Sequence, residues 1–188
     1  MKNETIITPV FTLCFPTLFV PEASGNDPTP YYTFTAVFEP DSDLTEMRRL
    51  AQASVKASFP KGLPPGFRNP FQLGDRKYEK WGDIFRGRIY VRMKTKFKPG
   101  VCDAQRIAID NPEMVYGGQK ARAAVSVYAY DNQGNRGVAF NFSAVQIVAD
   151  GERLGFSPEK AIEQFEAVAP AADAGTSSSP NPFDDFGI

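Results

Sequence analysis

The chain has 188 residues, of which 42% are hydrophobic and 23% charged, enough for one soluble domain with a buried core plus a tail. It contains no histidine, which removes Ser-His-Asp and Cys-His nucleophile systems, Cys2His2 zinc sites and the commonest neutral-pH base. The net charge of −1 conceals segregation: residues 1–50 hold 3 basic and 7 acidic side chains, 51–142 hold 16 and 7, and 143–188 hold 2 and 8. A basic centre between acidic ends is the electrostatic footprint expected of a protein that tracks phosphates.

The first apolar stretch is broken by Pro9, Pro16 and Pro21 and has a polar, acidic start, so it reads as neither signal peptide nor membrane span. Residues 9–20 read as an extended strand, and residues 31–39 (YYTFTAVFE) alternate as a second strand after a Pro/Gly/Asn/Asp loop. Asp43 with Glu46 three residues on forms a capping-box pattern. Leu44, Met47, Leu50, Ala51 and Val55 then recur at helical spacing until Pro60. Residues 60–76 are a Pro/Gly-rich loop, and residues 77–86 a mixed segment with the only tryptophan, Trp81.

Gly87 to Phe97 (GRIYVRMKTKF) is the clearest strand. Ile89, Val91, Met93 and Phe97 are expected on one face and Arg88, Tyr90, Arg92, Lys94 and Lys96 on the other. A further strand, 120–130, turns through Asn132-Gln133-Gly134-Asn135 into 137–148. Ser157-Pro158-Glu159 opens a short helix, and residues 169–182 have the composition of a disordered linker. The list is mainly β: five to six strands, one main helix and long loops. A partly closed OB-fold-like barrel accommodates it, as does an open antiparallel sandwich. The expected organisation is a folded domain, 1–168, and a disordered linker with an acidic tip, 169–188.

The outward face of 86–98 presents Arg86, Arg88, Tyr90, Arg92, Lys94, Lys96 and Lys98 at period two, alternate side chains lying about 6–7 Å apart. That spacing is close to the phosphate spacing of an extended single strand. Few carboxylates lie nearby in sequence to pair with these cations. Tyr128 and Tyr130 share a face of the next long strand with Arg122 at the same parity, and Trp81, Phe85 and Tyr116 flank the basic strand. Basic residues interleaved with aromatics suit single-stranded nucleic acid, since stacking contributes about 1–3 kcal/mol per base and does not depend on which base it is. Phe140 and Phe142 are assigned to the core. The C-terminal tip, PNPFDDFGI, carries Phe183, Asp184, Asp185, Phe186 and Ile188, an anion with an apolar end suited to docking on partner proteins or in the basic groove.

Cys14 and Cys102 are too far apart in sequence to suggest a disulfide framework or a metal spacing and read as reduced thiols. Pro40-Asp41 with Asp75-Arg76-Lys77 loosely matches a metal-nuclease pattern, but Asp41 to Asp43 is better explained by helix capping and Asp75 by a loop. The expectation is therefore a non-enzymatic protein with no cofactor and no metal. A structural or protein-interaction module, such as a virion or assembly protein, is the alternative.

Three stretches resemble a known family: TPVFTLCFPTLFVPEA, YYTFTAVFEP, and the long run from FKPGVCDAQRIAIDNPEMVYGG through QKARAAVSVYAYDNQGNRGVAF to NFSAVQIVADGERLG. They are similar to the phage-encoded OB-fold single-stranded-DNA-binding proteins first grouped as a domain of unknown function. The acidic tip also resembles that of bacterial single-strand-binding proteins, though it has only two adjacent Asp and ends Phe-Gly-Ile. The resemblance implies a replication or recombination accessory protein of the bacterial host cytoplasm. Its partners would be single-stranded DNA and, through the tip, replication or recombination proteins, with no membrane.

Overall fold

The computed structural model describes residues 4–25, 27–132 and 134–155, all within one compact unit, Met1–Gly155. Its strands are β1 (Ile6–Ile7), β2 (Phe11–Ser24), β3 (Asp27–Phe38), β4 (Phe71–Leu73), β5 (Ile89–Thr95), β6 (Gly100–Cys102), β7 (Lys120–Asn132) and β8 (Asn135–Ala149). The helices are α1 (Thr45–Ser58) and the single turn α2 (Tyr78–Trp81).

Five strands close a ring. β2 pairs with β3, β3 with β5, β5 with β8, β8 with β7, and β7 returns to β2. Only the β5–β8 contact in that ring is parallel. A five-stranded closed barrel of this kind is the OB architecture, and it decides against the open sandwich. The strand total exceeds the expected five or six because three short strands decorate the ring. β1 pairs with β7, β6 runs parallel to β8, and β4 pairs with residues 89–91 of β5. β4 was hidden in the Pro/Gly-rich loop of 60–76.

Alternation builds the barrel interior. Phe34, Ala36 and Phe38 of β3, Val91 and Met93 of β5, and Ala121, Ala123 and Val125 of β7 are all buried there. On β8 a register shift opposite Ala124 and Val125 leaves Ser143 unpaired. Phe140, Phe142, Val145 and Ile147 therefore all point inward although their parity changes. Phe34 packs edge-on to Phe142 at 4.7 Å and stacks on Phe11 at 5.4 Å. Each buried ring contributes about 1.5–3 kcal/mol over an exposed one.

α1 lies between β3 and β5 in sequence and adds Met47 and Ala51, with Leu44 before it, to the same core. The expected capping box is not formed. Asp43 Oδ1 accepts the Thr45 N–H at 3.0 Å, one residue before a cap would sit, and Glu46 turns to Arg49 instead.

A second, smaller cluster lies on the outer side of β2, β3 and β5. Cys14, Val37 and Tyr90 project outward there and are covered by Phe85, with Tyr78, Trp81, Ile84 and Leu154 packed around them. Residues 74–88 thus form a lid over one end of the barrel's outer face. The expected helix at Ser157, the 168/169 boundary and the acidic tip lie outside the described residues.

Candidate nucleic-acid interface

The lid leaves the rest of the β3–β5 outer face open, and strand register fixes what it presents. Thr33 lies opposite Lys94, Thr35 opposite Arg92 and Val37 opposite Tyr90. Moving away from the lid, the face runs from Arg92 and Thr35 through Lys94 and Thr33 to Lys96 and Tyr31. Lys94 Nζ lies 4.6 Å and Lys96 Nζ 5.6 Å from the centre of the Tyr31 ring. Arg92, Lys94 and Lys96 have no ion-pair partner among the described residues. Three cations at strand spacing, none held in an ion pair and two of them against an aromatic ring, suit an anionic, base-bearing strand.

Phe15 and Trp81 stand at the lid end. The register of β2 against β3 shifts between Cys14 and Thr17, and Phe15 within that shift has φ +50. A bulge re-aims a side chain, and here it turns the Phe15 ring outward until it is 53% exposed. Left-handed backbone is rare for a bulky residue and costs about 1–3 kcal/mol, persisting where surroundings over-determine it. Those surroundings are Trp81, edge-on at 5.6 Å, and Phe85, stacked at 6.3 Å. Lys77 Nζ lies 5.3 Å from the Trp81 ring centre and adds a further cation. In the OB architecture the face of the second and third barrel strands, with the loops joining the first to the second and the fourth to the fifth, binds oligonucleotides. Those strands are β3 and β5 here, and the hairpins are β2–β3 and β7–β8.

The expected site residues divide into three groups. Arg92, Lys94 and Lys96 lie on the open face, and Trp81 stands on the lid at its edge. Tyr128 and Tyr130, on the β7–β8 hairpin, are half-buried with ring centres 6.3 Å apart. Burial chiefly, then the Tyr31 and Tyr130 phenols, raises the Tyr128 hydroxyl above its ordinary pKa.

The second group is on the expected face but engaged. Tyr90 points outward yet is buried beneath the lid, edge-on to Trp81 and Phe85. Arg88 donates to Glu39 at 2.8 Å and to the Ile84 carbonyl at 3.2 Å. Arg86 pairs with Asp83 at 3.1 Å and covers the Tyr78 ring. The expectation that carboxylates would leave this strand alone fails at its lid end, because Asp83 lies three residues before Arg86 and Glu39, just past the end of β3, reaches Arg88 from a strand distant in sequence.

The third group lies elsewhere. Tyr116 packs under Arg153 at 4.1 Å, and its hydroxyl lies within hydrogen-bonding distance of Asp150 Oδ1 and the Gly151 carbonyl. Arg122 shares parity with Tyr128 but lies six residues away, about 20 Å along the strand, where it donates to Gln146 at 2.7 Å. Lys98 is exposed beyond the end of β5. Phe97 was expected inside and is 79% exposed, since β5 stops at Thr95, whose hydroxyl accepts the Phe97 N–H at 3.3 Å. Phe183, Asp184, Asp185, Phe186 and Ile188 are outside the described residues.

Sequence reasoning does not single out Phe15 or Tyr31. The alternation of YYTFTAVFE sets Tyr31, Thr33 and Thr35 on one face, which is the sequence signal for Tyr31. For Phe15 the signal was Pro16, which cannot donate to a strand ladder and marks a bulge.

Solved structures share this fold. The single-stranded DNA-binding protein of bacteriophage Enc34, in complex with ssDNA, superposes with TM-score 0.67 at 17% identity over 80% of this chain and 89% of that one. Gp2.5, a single-stranded DNA binding protein encoded by bacteriophage T7, superposes with TM-score 0.59 at 14% identity over 90% and 99%. No curated protein sequence matches the chain. The model of the ssDNA-binding protein family of Enterobacter phage Enc34 matches residues 4–175, nearly the whole length, and the chain belongs to that family.

Proposed function

We propose that the protein binds single-stranded DNA along the open β3–β5 face, largely independently of sequence, as an accessory factor in phage replication or recombination. The observation that carries this reading is the set of unpaired cations, Arg92, Lys94 and Lys96, lying among Tyr31, Phe15 and Trp81 on the ligand-binding face of an OB barrel. Family membership agrees with it. The mechanism is passive. Lys and Arg release counterions from phosphates, the rings stack on bases, and binding to unpaired strands shifts the duplex equilibrium by mass action. It needs no cofactor and no catalytic group, and the host cytoplasm is where the protein would act.

Lys94→Glu combined with Lys96→Glu tests the assignment. Each phosphate contact contributes about 0.7 to the log–log salt slope for a single strand. The double variant is expected to bind an oligonucleotide more weakly, with a slope shallower by about 1.4 when anisotropy is followed across a salt series. Unchanged affinity and slope would move the interface off this face. Tyr31→Ala should weaken binding by about fivefold or more with the slope preserved.

A further inference from the structure

On the outer side of β7 and β8, away from the open β3–β5 face, is a depression of about 290 Å³. β7 pairs with β1, β2 and β8 and with neither β3 nor β5. We infer that this depression is a docking site for a partner protein and takes a short acidic segment with aliphatic side chains beside its carboxylates. The inference does not depend on the single-strand reading above.

Strand alternation builds the floor. Ala121, Ala123 and Val125 of β7 face the core, so Arg122 and Ala124 face outward. Gln146 and Ala144 stand opposite them on β8, and Ile7 of β1 lies beside Ala124. The two alanines leave a low apolar floor, and Ile7, 57% exposed, rises beside it. Covering such a surface with aliphatic side chains is favourable.

Two arginines, Arg106 and Arg122, line the same depression, and Gln146 positions both. Its Oε1 accepts from Arg122 Nε at 2.7 Å, and its Nε2 donates to the Asp103 and Ala104 carbonyls at 3.0 and 3.1 Å, anchoring the loop that carries Arg106. Arg106 has left-handed backbone, φ +69, which is uncommon outside glycine. The Asp103 carboxylate holds that turn by accepting the Gln105 and Ile107 N–H groups at 2.9 and 2.8 Å. Neither guanidinium has an ion-pair partner among the described residues, and no carboxylate lines the depression. A guanidinium takes a carboxylate through two parallel hydrogen bonds. It takes a phosphate in the same way, but no aromatic ring lines the depression to stack a base. The aliphatic floor and the two cations therefore match an acidic peptide better than a nucleic acid.

The test follows amide NMR signals of the isotopically labelled full chain as an end-blocked peptide, Gly-Leu-Asp-Asp-Leu-Gly, is added. Saturable shifts are expected at Ile7, Arg122, Ala124 and Ala144. Replacing both Asp of the peptide by Asn should weaken binding about tenfold or more, and replacing both Leu by Gly should weaken it severalfold. Arg122→Glu and Arg106→Gly should each weaken it about tenfold or more. Both arginines are exposed and glycine suits the Arg106 backbone, so these variants keep the fold. Lys61→Glu, the same change of charge at another exposed position, should leave peptide binding unchanged. No shifts, shifts centred on Lys94 and Lys96, or an affinity that survives both arginine variants overturns the docking site. Two further results would overturn it as well. Oligo-dT shifting the same amides and binding more weakly to Arg122→Glu would give the depression to DNA, and loss of self-association in Arg122→Glu would give it to a second copy.

Discussion

Tyr90 and Arg92 sit two residues apart on one strand, point to the same side, and meet different surroundings. Tyr90 is covered by Phe85 and Trp81 and is 8% exposed, whereas Arg92 is open. Removing the Tyr90 ring therefore acts on stability. Tyr90→Ala is expected to cost about 3–5 kcal/mol and to lower Tm by roughly 6–20 °C in thermal unfolding. Tyr31→Ala should leave Tm nearly unchanged. A Tyr90→Ala protein that melts with the unaltered one would show that the lid does not pack on the barrel. Under the same lid, burial pushes the Cys14 thiol up to about 12 against the opposing charge of Lys120. Between an unfolded thiol's value near 8.5 and that figure, the unfolded state loses a proton that the native state keeps, so stability falls as pH rises through that window. At pH 8 in the native state, iodoacetamide should modify half-buried Cys102 and leave Cys14 untouched. Mass spectrometry of the digested protein reads the difference, and equal labelling would contradict the burial.

At the scale of elements, the lid is what the sequence concealed. Period-two alternation in 87–97 was legible because a strand repeats every two residues, and it correctly set Arg92 and Lys94 opposite Val91 and Met93. What covers a strand does not leave a period. The lid is built from a one-turn helix and two 3-10 turns, Gly74–Arg76 and Asp83–Phe85, too short to show periodicity. Its clasp joins residues far apart in the chain. Glu39 accepts from Arg88 at 2.8 Å and from Lys120 at 3.3 Å, and Gly74 N–H donates to the Arg88 carbonyl at 2.8 Å. A Cβ on Gly74 would lie 1.8 Å from the Phe85 carbonyl oxygen, so Gly74→Ala should displace the turn that supports Phe15 and Trp81. The hydrogen bond from Arg88, with support from Lys120, lowers the pKa of Glu39 despite opposing desolvation. Its contribution to stability is present above the ordinary carboxylate range and is lost as pH falls through the depressed native value. Urea midpoints measured from pH 7 to pH 3 should decline less steeply for Glu39→Gln than for the unaltered protein. Parallel declines would mean that the clasp adds nothing.

For the molecule as a whole, the strand inventory and the three-block charge pattern were readable, whereas barrel closure was not. The single parallel contact of β5 with β8 at Met93–Phe140 closes the ring, and it depends on a return path that no local pattern encodes. Charge segregation places Arg92, Lys94 and Lys96 in the basic block, while two others of that block, Arg88 and Lys120, serve the clasp. The central claim is that this barrel holds single strands by phosphate neutralisation and stacking. It is tested most directly by fluorescence anisotropy of the full chain with labelled oligo-dT and a matched duplex, each titrated over a range of salt. The account predicts oligo-dT binding that is tighter than duplex binding and weakens steeply as salt rises. No binding to either at low salt, or affinity indifferent to salt, would contradict it.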